Sequence, residues 1–473
     1  YYHRLLSISF SPPWERVRVR GRVFITHIVL PGNIDVYLCF INIIRKILFL
    51  REVVFLRKKI VVLGAVVVIM FMVVAVAGAK VTLSALFMKQ AGYQESDIRA
   101  MTEEFIKMNP DIEVNLAFVA YEELHDKIAV AAASGSGTYD VILMDCIWPA
   151  EFAEAGWLFD VTERLTENDR NDIFPQVLTS VTYKDRLYGM PWLNDWQYFF
   201  YNKKILADAG AAAPTLWPQV IELSKKLKEN GVVEYPIIDA WGQAEAVVIQ
   251  WLQYVYAMDG KLFDGSGNPI LNKGKALDAL TFMVNNMKEG LFNPACIESY
   301  YEEVRRVYSA GQAAFALNWT YMQNMANDPN ESQIAGNSVI TVIPGFPDGR
   351  KSATCNGGMG LSIMNTCKNP DEAWKYISYL SSREVQKKYS TSALPIWESL
   401  YDDPEMIAQQ PELVKVAKEQ ILYVIDRPQV PWYSQFSQLM GEELQAALTG
   451  AKTPEQAMND AVSRTKEIQE RYK

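Results

Sequence analysis

Three short apolar stretches separated by two helical patterns, all between Val81 and Met144, constrain this chain more than any other feature. Val81 to Phe87 has the length and content of a strand. After the loop Met88 to Gln94, Ser96 is placed to cap a helix whose apolar residues Ile98, Met101 and Phe105 recur at helical spacing. Asn109-Pro110 ends it, and Ile112, Val114 and Leu116 alternate as a second strand. Leu124 and Ile128 open an amphipathic helix that runs into Ala129 to Ala133, followed by the turn Ser134-Gly135-Ser136-Gly137. Val141 to Met144 is a buried strand, with Asp145 at its carboxyl end. Strands alternating with helices across short loops make a parallel α/β sheet. Ligands of such sheets lie outside the carboxyl ends of the strands. Asp145, Trp148 and the loop Lys89 to Gln94 fall there.

A second feature is Tyr188 to Asn202, YGMPWLNDWQYFFYN. Gly189 and Pro191 mark a loop, and Tyr198 to Tyr201 reads as a strand. Between them stand Trp192, Asn194, Asp195 and Trp196. Indoles cover the C–H face of a sugar ring, and carboxylates and amides take its hydroxyls, so the segment suits a polyhydroxylated ligand. The competing reading is core, because Trp is highly buried on average.

Further on, Trp217 to Lys228, Ala246 to Met258, Leu277 to Met287 and Val304 to Ser309 read as helices. Gly311 to Leu317 is a strand that runs into Asn318-Trp319-Thr320-Tyr321. Val339 to Ile343 is another. Asn356-Gly357-Gly358-Met359-Gly360 leads into the strand Leu361 to Met364. A phosphate cradle wants a helix directly after its glycines; a strand follows here, which indicates close backbone approach to something bulky. Asn369 caps a helix with Pro370 at its first position, and Thr453-Pro454-Glu455-Gln456 is a capping box for the last helix.

The chain opens at Tyr1 and its first Met is Met70. Residues 1–56 show no sustained period and read as a non-native upstream extension. A membrane span over Val36 to Leu56 is the rival, interrupted by Arg45, Lys46, Arg51 and Glu52. Residues 57–79 read as a signal peptide: Arg57-Lys58-Lys59, the apolar run Ile60 to Val76, then Ala77-Gly78-Ala79 before Lys80, with no cysteine there for lipid attachment. The expected mature protein is 80–473, exported to the periplasm or the outer face of a prokaryotic cytoplasmic membrane. The 473 residues carry a net charge of -9. The 11 basic and three acidic residues before Lys80 leave the mature part at −17. Such an acidic exported protein is poorly suited to nucleic acid. It keeps a single histidine, His125, and four cysteines, Cys146, Cys296, Cys355 and Cys367, none at metal-ligand spacing. No metal, no cofactor and no Ser-His triad is expected. Cys355 and Cys367 either pair or stay free thiols.

With these segments in place the chain resembles the extracellular solute-binding proteins of ABC transporters, in the large sugar-binding branch that includes maltose and trehalose binders. Five markers in the family's order carry the resemblance: TYDVILMD with Trp148 after it, YGMPW to FFYN, GQAAFALNW, the glycine pair of CNGGMG, and RPQVPWY. The resemblance implies a two-lobe α/β fold of the type II periplasmic-binding class. Each lobe is then a mainly parallel sheet flanked by helices, with the ligand cleft between lobes and three crossings joining them. Lobe 1 would be 80–192 and 343–393, and lobe 2 would be 196–342 and 394–473. The Tyr188 loop would be the first crossing. The implied activity is capture of a sugar or oligosaccharide by hinge closure, and delivery to the membrane subunits of an ABC permease by a monomer that is not an enzyme.

The resemblance also implies a site. Asp145 and Asp195 match hydroxyl-accepting carboxylates, Asn318, Trp319 and Tyr321 the segment that stacks on sugar, Gly357 and Gly358 a backbone contact, and Arg427 a guanidinium that forks across hydroxyls. Glu245 and Gln94 fall where some members place polar contacts. Met359 stands where several disaccharide binders have Trp, which argues for a different or longer sugar. Trp241, Trp148 and one of the neighbours Trp192 and Trp196, here Trp196, are further stacking faces; Trp157, Trp251 and Trp374 read as core. His125 reads as a helix-surface residue. Two alternatives stand beside this one: a glycoside hydrolase with Asp145 and Asp195 as its carboxyl pair, and a peptide or polyamine binder on the same fold.

Overall fold

The computed structural model describes residues 18–19, 22–23, 41–51, 80–89 and 92–473. Two compact units divide the chain, Tyr1–Ala79 and Lys80–Lys473. In the first, Arg18–Val19 and Arg22–Val23 pair as an antiparallel ladder, and residues 41–51 form a helix with exposed apolar side chains. Among the described residues no helix is long and apolar enough to cross a membrane. The expected signal peptide, 57–79, lies outside the described residues.

In the second unit a five-stranded sheet runs in the order Ile112–Val119, Val81–Met88, Val141–Asp145, Met359–Ile363, Met190–Leu193. The first three pair in parallel, as the alternation of strands and helices requires. Met359–Ile363 is antiparallel to both of its neighbours, so one strand runs against the other four. All five residues of Val141–Asp145 are buried, which fits a central strand covered on both faces. Ile112–Val119 lies at an edge and buries only Ile112 fully, hence its alternating sequence.

The first helix begins at Glu95, with Gln94 rather than Ser96 as N-cap; Asp97 Oδ2 accepts from the Gln94 N–H at 3.0 Å. Of YGMPW only Tyr188 and the bend at Gly189 lie outside a strand. Met190–Leu193 is the other edge strand of the sheet, a position that tolerates Pro191 because only one side of an edge strand is paired. Only residues 194–196 separate it from Gln197–Asn202, a strand of the second sheet.

That sheet has the order Ile237–Ile238, Phe315–Trp319, Gln197–Asn202, Ser338–Thr341. Here Gln197–Asn202 is the reversed strand. Helices Trp217–Glu229, Glu245–Ala257, Gly274–Lys288 and Tyr301–Ser309 belong to this part, two of them starting three residues earlier than their apolar periodicity indicates. Trp217 joins helix to sheet, its ring 5.8 Å from Phe199 and 4.9 Å from Tyr254. Thr354–Cys355 and Val424–Ile425 pair in parallel as a separate two-stranded ribbon. The capping box at Thr453 forms as expected, whereas Asn369 holds the N-cap position before Pro370 without a side-chain hydrogen bond to the helix.

Cys146, Cys296, Cys355 and Cys367 are all free thiols, which corrects the disulfide alternative. Cys355 precedes the five-residue strand Met359–Ile363 and Cys367 follows it. That strand alone spans about 16 Å, well beyond the Cα separation a disulfide tolerates.

Candidate ligand-binding site

Asp145 is placed by its strand, at the carboxyl end of the central ladder with Met359 directly opposite on the neighbouring strand. Both of its oxygens are engaged. Oδ1 accepts from Arg427 Nη2 at 3.1 Å and from the Ile147 N–H at 3.2 Å, and Oδ2 from Tyr121 Oη at 2.9 Å. Arg427 follows the ribbon strand Val424–Ile425 and is 2 % exposed. Its Nη1 donates to Glu245 Oε1 at 2.6 Å, and its Nη2 reaches Cys146 Sγ at 2.9 Å and the Asn356 carbonyl at 3.1 Å. Glu245 is the first residue of its helix; it also accepts from Tyr433 Oη at 2.7 Å and from Ser437 Oγ. Despite burial, the surrounding acidic groups hold the Arg427 guanidinium well above its ordinary range, so it stays charged.

A second cluster forms around Asp195, in the short passage between sheets. Asp195 Oδ1 accepts from Thr320 Oγ1 at 2.7 Å, and its carbonyl accepts from the Gly357 N–H at 3.0 Å. Loss of solvation pushes the carboxyl up to about 7, against the hydrogen bonds from Thr320 and the Trp196 backbone. Trp319 ends its strand opposite Gln197 and is partly exposed. One side of its indole lies against Gly357, and its ring centre is 5.4 Å from Tyr301 in edge contact. Asn318 is fully buried, donating to the Tyr301 carbonyl at 2.9 Å and accepting from the Trp319 N–H at 2.8 Å. Within the protein, Tyr301 Oη, Tyr321 Oη, Trp196 Nε1 and Arg427 Nε have no hydrogen-bond partner among the described residues. Gly358 is buried, its N–H held by Asn356 Oδ1 at 2.9 Å.

The structure thus brings Asp145, Arg427, Glu245 and Met359 into one cluster, and Asp195, Asn318, Trp319 and Gly357 into another. Other expected residues sit elsewhere. Trp241 is fully buried; its Nε1 donates to Asp239 Oδ2 at 2.9 Å and its ring packs 4.5 Å from Phe292. Trp148 is 3 % exposed, stacked on Tyr121 with His125 at its edge. His125 is not a free surface residue: its Nε2 lies 3.2 Å from Glu151 Oε2, and despite burial Glu151 and Asp126 raise its pKa. Trp192 is core, wedged between Tyr93 and Phe87. Gln94 is exposed and spends its backbone on the helix cap. Tyr121, Tyr433, Ser437, Asn356 and Asp239 were not expected. Tyr121 could have been found by the rule that identified Asp145, since it follows a strand's carboxyl end. Burial pushes the Asp239 carboxyl up to about 7.

The model of the bacterial extracellular solute-binding proteins matches residues 91–387. The chain belongs to that family. It is similar to a probable ABC transporter-binding protein of Deinococcus radiodurans, 27% identical over 281 residues, which cover 58% of this chain and 66% of that one. It is also similar to a probable amino-acid ABC transporter periplasmic-binding protein of Sinorhizobium fredii, 24% identical over 74% of this chain and 81% of the relative. Among solved structures, the maltose-bound MalE3 of T. maritima superposes with a TM-score of 0.75 at 27% identity, covering 82% of this chain and all of that one. The family fold has the two α/β lobes that the two sheets here represent.

Proposed function

We propose that this solute-binding protein is the sugar-capturing component of an ABC importer. In this reading 80–192 with 343–393 and 196–342 with 394–473 are the lobes, which close on a sugar or oligosaccharide. The closed form then delivers it to the permease. The observation that carries the reading is the Asp195 cluster: a partly exposed indole beside a carboxylate with an uncommitted oxygen, among buried phenol and indole donors that lack protein partners. A flat apolar face next to unsatisfied hydrogen-bonding groups is what a sugar ring requires. Maltose in the similar MalE3 supports the same class.

Hydrolysis is disfavoured by the carboxylates themselves. A raised pKa at Asp195 would suit a general acid, but Asp145 is committed to Arg427, Tyr121 and the Ile147 N–H and is no free base or nucleophile. The protein is a monomer, exported with cleavage after Ala79, and releases its ligand unaltered. N-terminal sequencing of secreted protein beginning away from Lys80 would refute the export reading.

The test is a thermal-shift panel of mono- and oligosaccharides, with amino acids, peptides and polyamines as controls. A ligand at 100 times its Kd stabilises by about 2.7 kcal/mol if it binds only the native state. A shift confined to sugars, and lost in Trp319→Ala and Asp195→Ala, is expected. A shift with amino acids, peptides or polyamines alone would keep the fold and discard the substrate class.

A further inference from the structure

Arg427 has the residue type and place of a ligand fork, yet the hydrogen bonds of its terminal nitrogens go to protein. Nη2 is taken by Asp145, Cys146 and Asn356, and Nη1 by Glu245. The two carboxylates are equally committed, to Tyr121 and the Ile147 N–H on one side and to Tyr433 and Ser437 on the other. Asp145 belongs to the first sheet. Glu245 opens the helix whose Gln250 and Gln253 donate to Gln197 Oε1 in the second sheet, at 2.7 and 2.8 Å. One guanidinium, 2 % exposed, therefore ties the two halves directly.

Two neighbouring contacts run the same way. Gln429 Nε2 donates to the Cys146 carbonyl at 3.1 Å. Ser434 Oγ, on the helix that also carries Tyr433 and Ser437, donates to Glu151 Oε2 at 2.8 Å, and Glu151 follows the first-sheet strand that ends at Asp145.

We propose, on the two-lobe reading above, that Asp145–Arg427–Glu245 is an interlobe clasp that favours closure by itself, so that Arg427 sets the open–closed balance rather than gripping the sugar. Removing one member leaves the others buried without their counter-charge in the closed form but hydrated in the open one, which moves the balance toward open. The ligand then draws on a population that is already partly closed.

The experiment measures a distance between the two proposed lobes in the full chain. Nitroxides are placed at Glu123→Cys and Glu298→Cys, both exposed, with Cys39 and Cys367 replaced by Ser. In ligand-free protein the clasp predicts a distance distribution dominated by the separation seen in this structure. Glu245→Gln and Arg427→Met shift it to a separation several ångströms longer, and circular dichroism confirms that each is folded. Glu245→Gln is the milder change and decides if Arg427→Met does not fold. A parent protein that already shows the long separation, or a folded variant that keeps the short one, overturns the clasp. Maltose is the probe for a separate arm. If it neither shortens the long distance of Glu245→Gln nor shifts the melt, maltose is discarded as the sugar while the ligand-free comparison still judges the clasp.

Discussion

Gly357 lies so close to the outer edge of the Trp319 indole that a Cβ at that glycine would clash with Cζ3 and come within 2.6 Å of Cη2. The requirement is close approach, since Gly357 is absent from the left-handed glycines. The same glycine donates its N–H to the Asp195 carbonyl, so the stacking face and the carboxylate share one anchor.

Gly357→Ala is therefore expected to displace Trp319 and weaken sugar binding at least tenfold, about 1.4 kcal/mol. Calorimetric titration with whichever sugar the melting panel selects would measure it. Unchanged affinity would mean that Trp319 does not form part of the site.

Asp195 has a pH signature. Its folded carboxyl titrates at about 7, well above the usual aspartate range. A carboxyl raised on folding favours the protonated native state, so its contribution is complete at low pH and is lost as pH rises through about 7. The wild-type melting midpoint should fall between pH 5 and 8 more steeply than that of Asp195→Asn. Asp239 retains its own dependence in both proteins. Parallel pH profiles for the two would sink the assignment.

Arg427→Met leaves Asp145 and Glu245 facing each other without a cation. Breaking a buried pair costs about 3–5 kcal/mol where the remaining charges stay buried; because opening hydrates them, the unfolding free energy from urea denaturation is expected to fall measurably but by less than that. Arg427→Lys should recover only part, because an ammonium cannot fork to two carboxylates. A midpoint within error of wild type for Arg427→Met would show that the charges are solvated.

The pattern of strands and helices was legible because each strand is apolar and bounded by turn residues, and Asp145 followed from the strand-end rule alone. What surrounds it was not. Arg427 lies 282 residues from Asp145 and 182 from Glu245, and no local pattern states that its donors are already used. Gly189 misled for a related reason. A Cβ there would crowd Ser362 Oγ and the Leu361 carbonyl, so the bend at that glycine also presses the chain against the adjacent strand and leads into a strand of its own. Ile237–Ile238 is only two residues long, too short to announce Asp239 at its end.

The free thiols give a simple check. Four reactive groups should appear in denaturant for residues 80–473, and dithiothreitol should leave the native melting midpoint where it is. Cys146, Cys296 and Cys355 are buried, and burial raises their pKa, so in the native state they should react slowly with a thiol reagent while the half-buried Cys367 reacts first. A reductant-sensitive midpoint would require a disulfide.

Trp241 separates packing from recognition. Its indole satisfies Asp239 and fills the space beside Phe292, with no exposed surface. Trp241→Phe removes that donor and leaves a buried carboxyl short of a hydrogen bond, for which about 1–3 kcal/mol is typical. The loss should shrink as pH falls below about 7, because a protonated Asp239 needs fewer donors. Sugar affinity at saturating stability should stay within a factor of two or so of wild type, since the residue acts on the lobe and not on the ligand. An affinity loss comparable to that of Trp319→Ala would instead place Trp241 at the sugar face.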